Sequence, residues 1–205
     1  MDVRWNIQKS DSILVKKLSE ELGVNEIIAR LLVLRGITTY DKAKKFFRPQ
    51  ISDLHDPFLL KDMHEAVERI ELALKRGEKI LIYGDYDVDG TTSVAMMYNF
   101  LNRFTKNIGY YIPDRYKEGY GISFKGIDYA QLEEFSLIIA LDCGIRAVKQ
   151  VEYASNKDID FIICDHHKPG VNVPRAISVL NPKQIDCKYP YNCLLYTSPS
   201  PRDIG

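Results

Sequence analysis

The sequence has no excess of charge of either sign. Lys plus Arg and Asp plus Glu both number 28 among the 205 residues, so the formal net charge is zero. A neutral chain offers no overall attraction for nucleic acid, and binding to a polyanion must therefore depend on a local basic patch. Hydrophobic residues make up 45% and charged residues 27% of the chain, a balance that is typical of a globular protein and excludes a disordered one.

Long apolar runs and paired cysteines are also missing. No apolar run approaches the roughly 20 residues that a membrane-spanning helix needs. The first residues, MDVRWNIQKSD, lack the apolar core of a signal peptide. The four cysteines, Cys143, Cys164, Cys187 and Cys193, show no CxxC pairing of the zinc type. We therefore expect a cytoplasmic protein with buried free thiols and no association with membranes.

Residues 1–60 predict a small helical region followed by a connector. Ser10 or Asp11 is a candidate N-cap for a first helix, Asn25 for a second, and a third is expected from Thr39 to Phe47. The apolar face expected for the second helix consists of Ile27, Ile28, Leu31, Leu32 and Leu34.

From residue 61 to 192 the pattern changes to an α/β fold. A helical pattern over 62–76 ends at Gly77 and is followed by short apolar runs that alternate with helical stretches, among them 91–104 and 146–155. This alternation predicts a doubly wound, mostly parallel sheet with helices on both faces. The runs expected to form strands are Lys79–Tyr83, Ile108–Ile112, Leu137–Leu141, Phe161–Cys164 and Ile177–Leu180.

The last residues, 193–205, do not continue this pattern. Leu194 to Gly205 reads LLYTSPSPRDIG, which is rich in Ser and Pro and has no periodicity. It is similar to translated adaptor or vector sequence, so we expect a non-native tail.

Acidic residues follow three of the predicted strands. Asp85, Asp87 and Asp89 come after the first, Asp142 after the third, and Asp165-His166-His167 after the fourth. The carboxyl ends of parallel strands share one edge of a sheet, so these groups are expected to converge. Converging carboxylates repel one another unless a cation neutralises them. Carboxylates suit Mg²⁺ or Mn²⁺, and imidazole beside them shifts the preference toward Mn²⁺. Two such ions can support a displacement at phosphorus.

Each acidic group taken alone has a simpler interpretation. Asp89 before Gly90 can serve only as a helix N-cap, and the two histidines can form a surface pair or a hydrogen-bonded pair in the core. A calcium EF-hand loop is excluded, because Met96 stands where the twelfth-position Glu is required and a strand precedes the loop. The three groups together favour a metal site.

These motifs resemble the DHH phosphoesterase superfamily. The segments Asp85–Thr92, Asp142–Gly144 and Asp165–His167 are similar to its first three motifs. Ile112–Arg115, Gly119-Tyr120-Gly121 and Asn181–Lys183, with the N-terminal helical region, are similar to its single-strand-specific DNA exonucleases. The resemblance covers about residues 1–192.

The resemblance implies roles for individual residues. Asp85, Asp87, Asp89, Asp142 and His166 would be ligands of a two-metal Mn²⁺ or Mg²⁺ site, and His167 would lie beside the scissile phosphate as a ligand, an orienting group or an acid. The catalytic set would be Asp87, Asp89, Asp142, His166 and His167. The implied activity is 5′→3′ hydrolysis of single-stranded DNA to 5′-mononucleotides by a monomer, in DNA repair or recombination.

The chain departs from the family pattern in two ways. Tyr83 stands where many relatives carry His, and the chain stops before the fourth-motif Asp and the second domain. We therefore expect the 205-residue chain alone to be inactive.

The remaining choice concerns the substrate. Arg115 and Tyr120 combine a basic and a stacking side chain, which suits single strands, although a solvated loop has the same composition. The alternatives are a relative that acts on short oligoribonucleotides, cyclic dinucleotides or pyrophosphate, and a non-catalytic nucleic-acid-binding fragment. The N-terminal helices and the Gly-Tyr-Gly segment favour the exonuclease.

Overall fold

The computed structural model describes residues 6–190. These residues belong to two compact units, 6–54 and 55–190. The tail predicted at 193–205 lies outside the described residues, as does Cys193.

The first unit contains three helices whose ends are set by capping residues. Asp11 accepts hydrogen bonds from the amides of Ile13 and Leu14, Asn25 accepts one from Ile27, and a left-handed glycine, with φ of 65°, closes the first helix. The predicted starts at Asp11, Asn25 and Thr39 are thus confirmed. The helices are α1 (Ser12–Leu22), α2 (Glu26–Leu34) and α3 (Tyr40–Phe47).

The buried face of α2 differs from the predicted one. Ile27 and Leu31 are 69% and 49% exposed, and Ile28 is exposed as well, whereas Ala29 and Leu32 are buried. Ala29 and Leu32 form one apolar cluster with the α1 residues Val15 and Leu18. The prediction was right for Leu32 and wrong for Ile27, Ile28 and Leu31. Apolar residues surround most of α2, so hydrophobicity alone does not select the small residue that packs in this cluster.

The second unit is built on a five-stranded, wholly parallel sheet with the order β2-β1-β3-β4-β5. The predicted doubly wound α/β fold is confirmed, and all five strands match the predicted runs within one residue at each end. The strands are β1 (Ile80–Gly84), β2 (Ile108–Tyr111), β3 (Leu137–Leu141), β4 (Asp160–Cys164) and β5 (Ser178–Leu180).

Helices cover both faces of this sheet. Apolar residues of α4 and α5 pack on one face, and apolar residues of α6 and α7 pack on the other. Residues of β1 and β3 are buried from both sides, which makes these two strands the centre of the core. The helices are α4 (Met63–Arg76), α5 (Val88–Leu101), α6 (Phe124–Leu132) and α7 (Val148–Ser155).

Two helical features differ from the sequence pattern. Helix α5 begins at Val88, three residues earlier than expected, because Asp87 caps it. Helix α6 was not predicted, since its buried positions include only Gly126, Ile127 and Ala130 in a largely polar segment.

The strand order places a topological switch point between β1 and β3. The chain moves from β1 to β2 on one side and from β3 onward to the other side. Ligands in open α/β sheets bind at the carboxyl edge beside such a point. The residues that follow β1 and β3 are therefore the candidates for a ligand-binding site.

Among the described residues, no helix is long and apolar enough to cross a membrane. Three of the cysteines lie in this part of the chain, and all three are free. Cys143 is buried, and burial raises the pKa of its thiol well above the ordinary value. Burial also raises the pKa of Cys164 to about 12. Both thiols therefore stay protonated and unreactive.

Candidate metal centre

Three aspartates lie side by side at the carboxyl edge of the sheet. The strand register pairs Gly84 with Leu141 and Leu141 with Cys164. The next residue of each strand is therefore Asp85, Asp142 or Asp165, and all three side chains are buried. Like charges this close raise one another's pKa unless hydrogen bonds or a cation compensate them.

Asp142 and the two histidines form the tightest group. One ligand atom from each of Asp142, His166 and His167 lies within 4.8 Å of the others. Nε2 of His166 is 3.0 Å from Oδ1 of Asp142. This contact raises the pKa of His166, although partial burial opposes the change. A carboxylate with two imidazoles is a donor set that binds first-row divalent metals.

Asp85 is buried with one half of its carboxylate unsatisfied. Oδ1 accepts a hydrogen bond of 2.8 Å from the amide of Tyr86. Oδ2 is buried and makes no hydrogen bond of good geometry to the described residues, although the amide of Gly121 and the hydroxyl of Tyr120 lie near the carboxylate. Burial raises the pKa of Asp85 and the charge of Asp87 adds to this, whereas these two groups and the amide of Tyr86 oppose the change. A buried unsatisfied group costs on the order of 1–3 kcal/mol, which a bound cation would offset.

Asp87 and Asp89 lie at the start of α5 and not within the Asp142 group. Oδ1 of Asp87 accepts a hydrogen bond of 2.9 Å from the amide of Gly90, so Asp87 is the N-cap. The capping role considered for Asp89 therefore belongs to Asp87, because the helix begins earlier than expected. Asp89 is half-buried in the first turn.

Gly90 allows α5 to pack directly over Asp85. A Cβ atom at this position would lie 2.4 Å from the carbonyl oxygen and 2.7 Å from the amide nitrogen of Asp85. Both are backbone atoms that cannot move aside. Only glycine therefore permits the close spacing between Asp85 and the start of the helix.

Asp165 organises the histidines. Its Oδ1 accepts hydrogen bonds from the amides of His166 and His167, at 2.7 and 3.0 Å, and lies 2.7 Å from Nδ1 of His167. Its Oδ2 accepts a bond of 2.9 Å from the amide of Ile145. Burial opposes ionisation, but these hydrogen bonds outweigh it and lower the pKa of Asp165.

The ionised Asp165 fixes the tautomer of His167. A carboxylate only accepts hydrogen bonds, so Nδ1 of His167 carries the proton and Nε2 is left as the outward-facing nitrogen. Asn181 supports the same loop by donating a bond of 2.9 Å to the carbonyl of His167. Sequence reasoning placed Asp165 among the converging acidic groups but did not predict that it positions the histidines, and it assigned Asn181 no individual role. The signal available for Asp165 was its position after a buried strand, which Asp85 and Asp142 share.

Aromatic and basic side chains lie beside these groups. The Tyr120 hydroxyl is 3.2 Å from Nε2 of His167, and the rings of Tyr120 and Tyr86 meet edge to face at 6.1 Å. The guanidinium of Arg115 is 5.3 Å from the centre of the Tyr86 ring. We call Arg115, Tyr86 and Tyr120 the aromatic ledge. Tyr86 was not identified from the sequence.

Comparisons with known proteins agree with this geometry. A sequence profile of the DHH family, N-terminal domain, matches residues 79–198. This is more than half of the chain, and the chain therefore belongs to the DHH family. The resemblance of the three acidic motifs is thereby confirmed.

The curated relatives include single-stranded-DNA-specific exonucleases named RecJ. The chain is 43% identical over 189 residues to RecJ of Bacillus subtilis, covering 92% of this chain and 24% of the relative. It is 31% identical over 169 residues to RecJ of Escherichia coli, covering 82% of this chain and 29% of the relative. The chain thus spans about a quarter of the length of these relatives.

Two similar solved structures contain manganese. One is RecJ from Thermus thermophilus in complex with Mn²⁺, with a TM-score of 0.66 and 25% identity over 91% of this chain and 26% of that chain. The other is an exonuclease RecJ bound to manganese, with a TM-score of 0.59 and 31% identity over 65% of this chain and 34% of that chain.

Proposed function

We propose that this chain is the metal-binding part of an exonuclease that hydrolyses single-stranded DNA from its 5′ end to 5′-mononucleotides, in DNA repair or recombination. The observation that carries the proposal is the convergence of Asp85, Asp142 and the Asp165–His167 triplet at the switch point of the sheet. The identity to single-stranded-DNA-specific exonucleases supports the same substrate.

The proposed cofactor is a pair of Mn²⁺ or Mg²⁺ ions held by Asp85, Asp87, Asp89, Asp142 and His166. The buried, unsatisfied Oδ2 of Asp85 and the short distances within the Asp142 group both fit a cation. Such ions supply an activated water and stabilise both the attacking and the leaving oxygen at phosphorus. Two RecJ structures that contain Mn²⁺ support this choice.

The side chains of the chain itself orient the substrate. His167, with its Nδ1–H held by Asp165, presents Nε2 toward the ledge, and the imidazolium form, which carries a second proton on Nε2, can donate that proton to the scissile phosphate. Arg115 and Tyr120 bind the strand, because exposed aromatic rings stack on bases without regard to sequence. Tyr120 is 58% exposed and meets this requirement. A pyrophosphate substrate would make no use of such a surface.

The proposal extends to domain organisation and setting. Residues 61–192 form the phosphoesterase domain, preceded by the helical region and connector at 1–60. The enzyme works as a monomer in the cytoplasm, and single-stranded DNA is its principal partner.

A nuclease assay tests the proposed function. The chain is compared with a version that is continued to the length of its relatives, referred to below as the full-length protein. We expect the full-length protein with Mn²⁺ to release 5′-mononucleotides from a 5′-phosphorylated single strand and to leave a blunt duplex intact. The 205-residue chain should show no measurable activity at equal concentration, because it spans about a quarter of its relatives. Equal degradation of the duplex, or release of internal fragments, would contradict the proposal.

Substitution of His166 and substitution of His167 are expected to have different effects on Mn²⁺ binding and on hydrolysis. His166→Ala should weaken Mn²⁺ binding and slow hydrolysis, since His166 contacts Asp142. His167→Ala should slow hydrolysis about 30-fold and weaken Mn²⁺ binding less than His166→Ala does, because the main loss is a hydrogen bond to the charged phosphate, which is worth about 1.5–3 kcal/mol. Mn²⁺ titration by calorimetry and single-turnover rates separate the two. The exposed His64→Ala serves as the control, and equal losses of Mn²⁺ affinity at both positions would show that these roles are wrongly divided.

A further inference from the structure

Glu118 lies in the loop that carries Tyr120 to His167. Its Oε2 accepts hydrogen bonds from the hydroxyls of Tyr111 and Ser123, at 2.8 and 2.6 Å. Its Oε1 accepts a bond of 3.0 Å from the amide of Asp114. One half-buried carboxylate thus joins the end of β2, the beginning of the loop and the beginning of α6. Neither the metal centre nor the ledge uses this side chain directly.

Tyr83 ties the other side of the same loop to the sheet. Its hydroxyl, fully buried at the end of β1, donates to the carbonyl of Gly121 and accepts from the amide of Ser123, each at 3.1 Å. Burial raises the pKa of Tyr83 to about 12, so this hydroxyl keeps its proton and donates at any physiological pH. Tyr83 therefore fixes the second half of the loop to the centre of the sheet.

The backbone around Tyr120 needs this support. Gly119 and Gly121 have φ of 82° and 80°, and nothing lies within 4 Å of where a Cβ would stand at either position. Glycine is thus required at these positions because the backbone is left-handed, and not because a side chain would clash with a neighbour. Glycine loses more conformational freedom on ordering than any other residue. Without lateral hydrogen bonds, Tyr120 would leave the position in which it meets Tyr86 and His167.

We propose that Glu118 is a positioning residue for the substrate strand. Together with Tyr83 and Ser123 it orders the loop of residues 114–123, so that Tyr120 lies beside His167 before the strand binds. The inference rests on the proposed function and explains part of the affinity of the enzyme for a single strand by the order of this loop. A loop that is ordered before binding avoids an entropic cost during binding. A loop that is ordered for only a fraction of the time lowers the apparent affinity by that fraction and leaves the bound complex unchanged.

A double-mutant cycle in the full-length protein tests whether Glu118 acts through Tyr120. Tyr120→Ala should raise the KM for a single strand about 10-fold, which corresponds to the loss of one stacked base. Glu118→Gln should raise KM about fivefold and change kcat by less than twofold, because the amide cannot accept from every donor that faces the carboxylate. The double variant should have the KM of Tyr120→Ala alone, since displacing a missing ring has no further effect.

Two further variants keep the test decisive. Tyr111→Phe removes one hydroxyl and keeps the ring, so it should give a smaller rise in KM in a folded protein. Tyr116→Ala, in the same loop but 94% exposed, should leave KM unchanged and combine additively with Glu118→Gln. Single-strand Kd, measured in an Asp142→Asn background, gives a readout without hydrolysis. It should follow the same cycle.

The outcomes distinguish this inference from the proposed function. If the wild type degrades single strands but the Glu118 and Tyr120 effects on KM and Kd are additive, the positioning role is overturned and the nuclease stands. A fall in kcat at constant KM in Glu118→Gln would overturn it equally. If the wild type neither binds nor degrades single strands, the proposed function itself fails.

Discussion

Asp142→Asn is expected to abolish the Mn²⁺-dependent rise in melting temperature of the 205-residue chain and to slow hydrolysis by the full-length protein on the order of 1,000-fold. Asp142 lies between Asp85 and Asp165 at the carboxyl edge and contacts His166 at 3.0 Å. Removing its charge takes from the proposed centre the carboxylate that contacts His166. Asparagine has the same shape, so the change tests charge and not volume.

The backbone conformation of residue 142 suits Asn as well as Asp. Asp142 has a φ of 59°, in the left-handed region that Asn adopts as readily as Asp. The variant should therefore fold like the wild type in the absence of metal. A metal that binds only the native state at 100 times its Kd adds about 2.7 kcal/mol to stability, which is easily measured as a melting shift. Mn²⁺ should give a larger shift than Ca²⁺ in the wild type, because imidazole disfavours Ca²⁺.

The control for this prediction comes from the same chain. Asp158 is another aspartate with left-handed backbone, with a φ of 57°, but it is exposed and lies just before β4, at the opposite edge of the sheet. Asp158→Asn should keep the full Mn²⁺ shift. An undiminished Mn²⁺ shift in Asp142→Asn would eliminate Asp142 as a ligand and with it the proposed centre.

The framework of this site could be predicted because buried parallel strands leave a strong pattern. Each central strand is a short apolar run, and Asp85, Asp142 and Asp165 each follow one directly. The sequence therefore indicated that the acidic groups share an edge. It did not indicate the strand order, which depends on helix packing over both faces, nor the register that sets the three aspartates side by side.

The roles of individual polar residues were harder to predict from the sequence. Asp165 was interpreted as part of a motif, but three of its four hydrogen bonds go to His166 and His167, so it positions the histidines. Helix α6 has few apolar residues, and its start depends on a cap at Ser123 that Glu118 also binds. Tyr86 joins the ledge only because the loop after β2 folds back over the loop after β1. Such contacts are set by tertiary structure and leave no periodic signal.

Asp165→Asn is the second change with a large expected effect. The two oxygens of Asp165 accept from three backbone amides and from Nδ1 of His167, and every one of these partners donates. An asparagine must direct its amide group toward at least one of them. A buried donor then loses its acceptor, so we expect the free energy of unfolding to fall by about 2–3 kcal/mol. Hydrolysis should slow about 100-fold, since both histidines lose their support.

The pH dependence of stability gives this prediction a second measurement. The folded-state pKa of Asp165 is lowered, so its contribution to stability is fully present above the ordinary aspartate value of about 3.9 and is lost as pH falls through the lowered value. The gap in unfolding free energy between wild type and Asp165→Asn should therefore be constant at neutral pH and narrow in strong acid. Urea unfolding at a series of pH values measures the gap, with Asp128→Asn, whose side chain is 53% exposed, as the control. A gap that is absent at pH 7, or one that widens in acid, would show that Asp165 does not hold the histidines as an ionised acceptor.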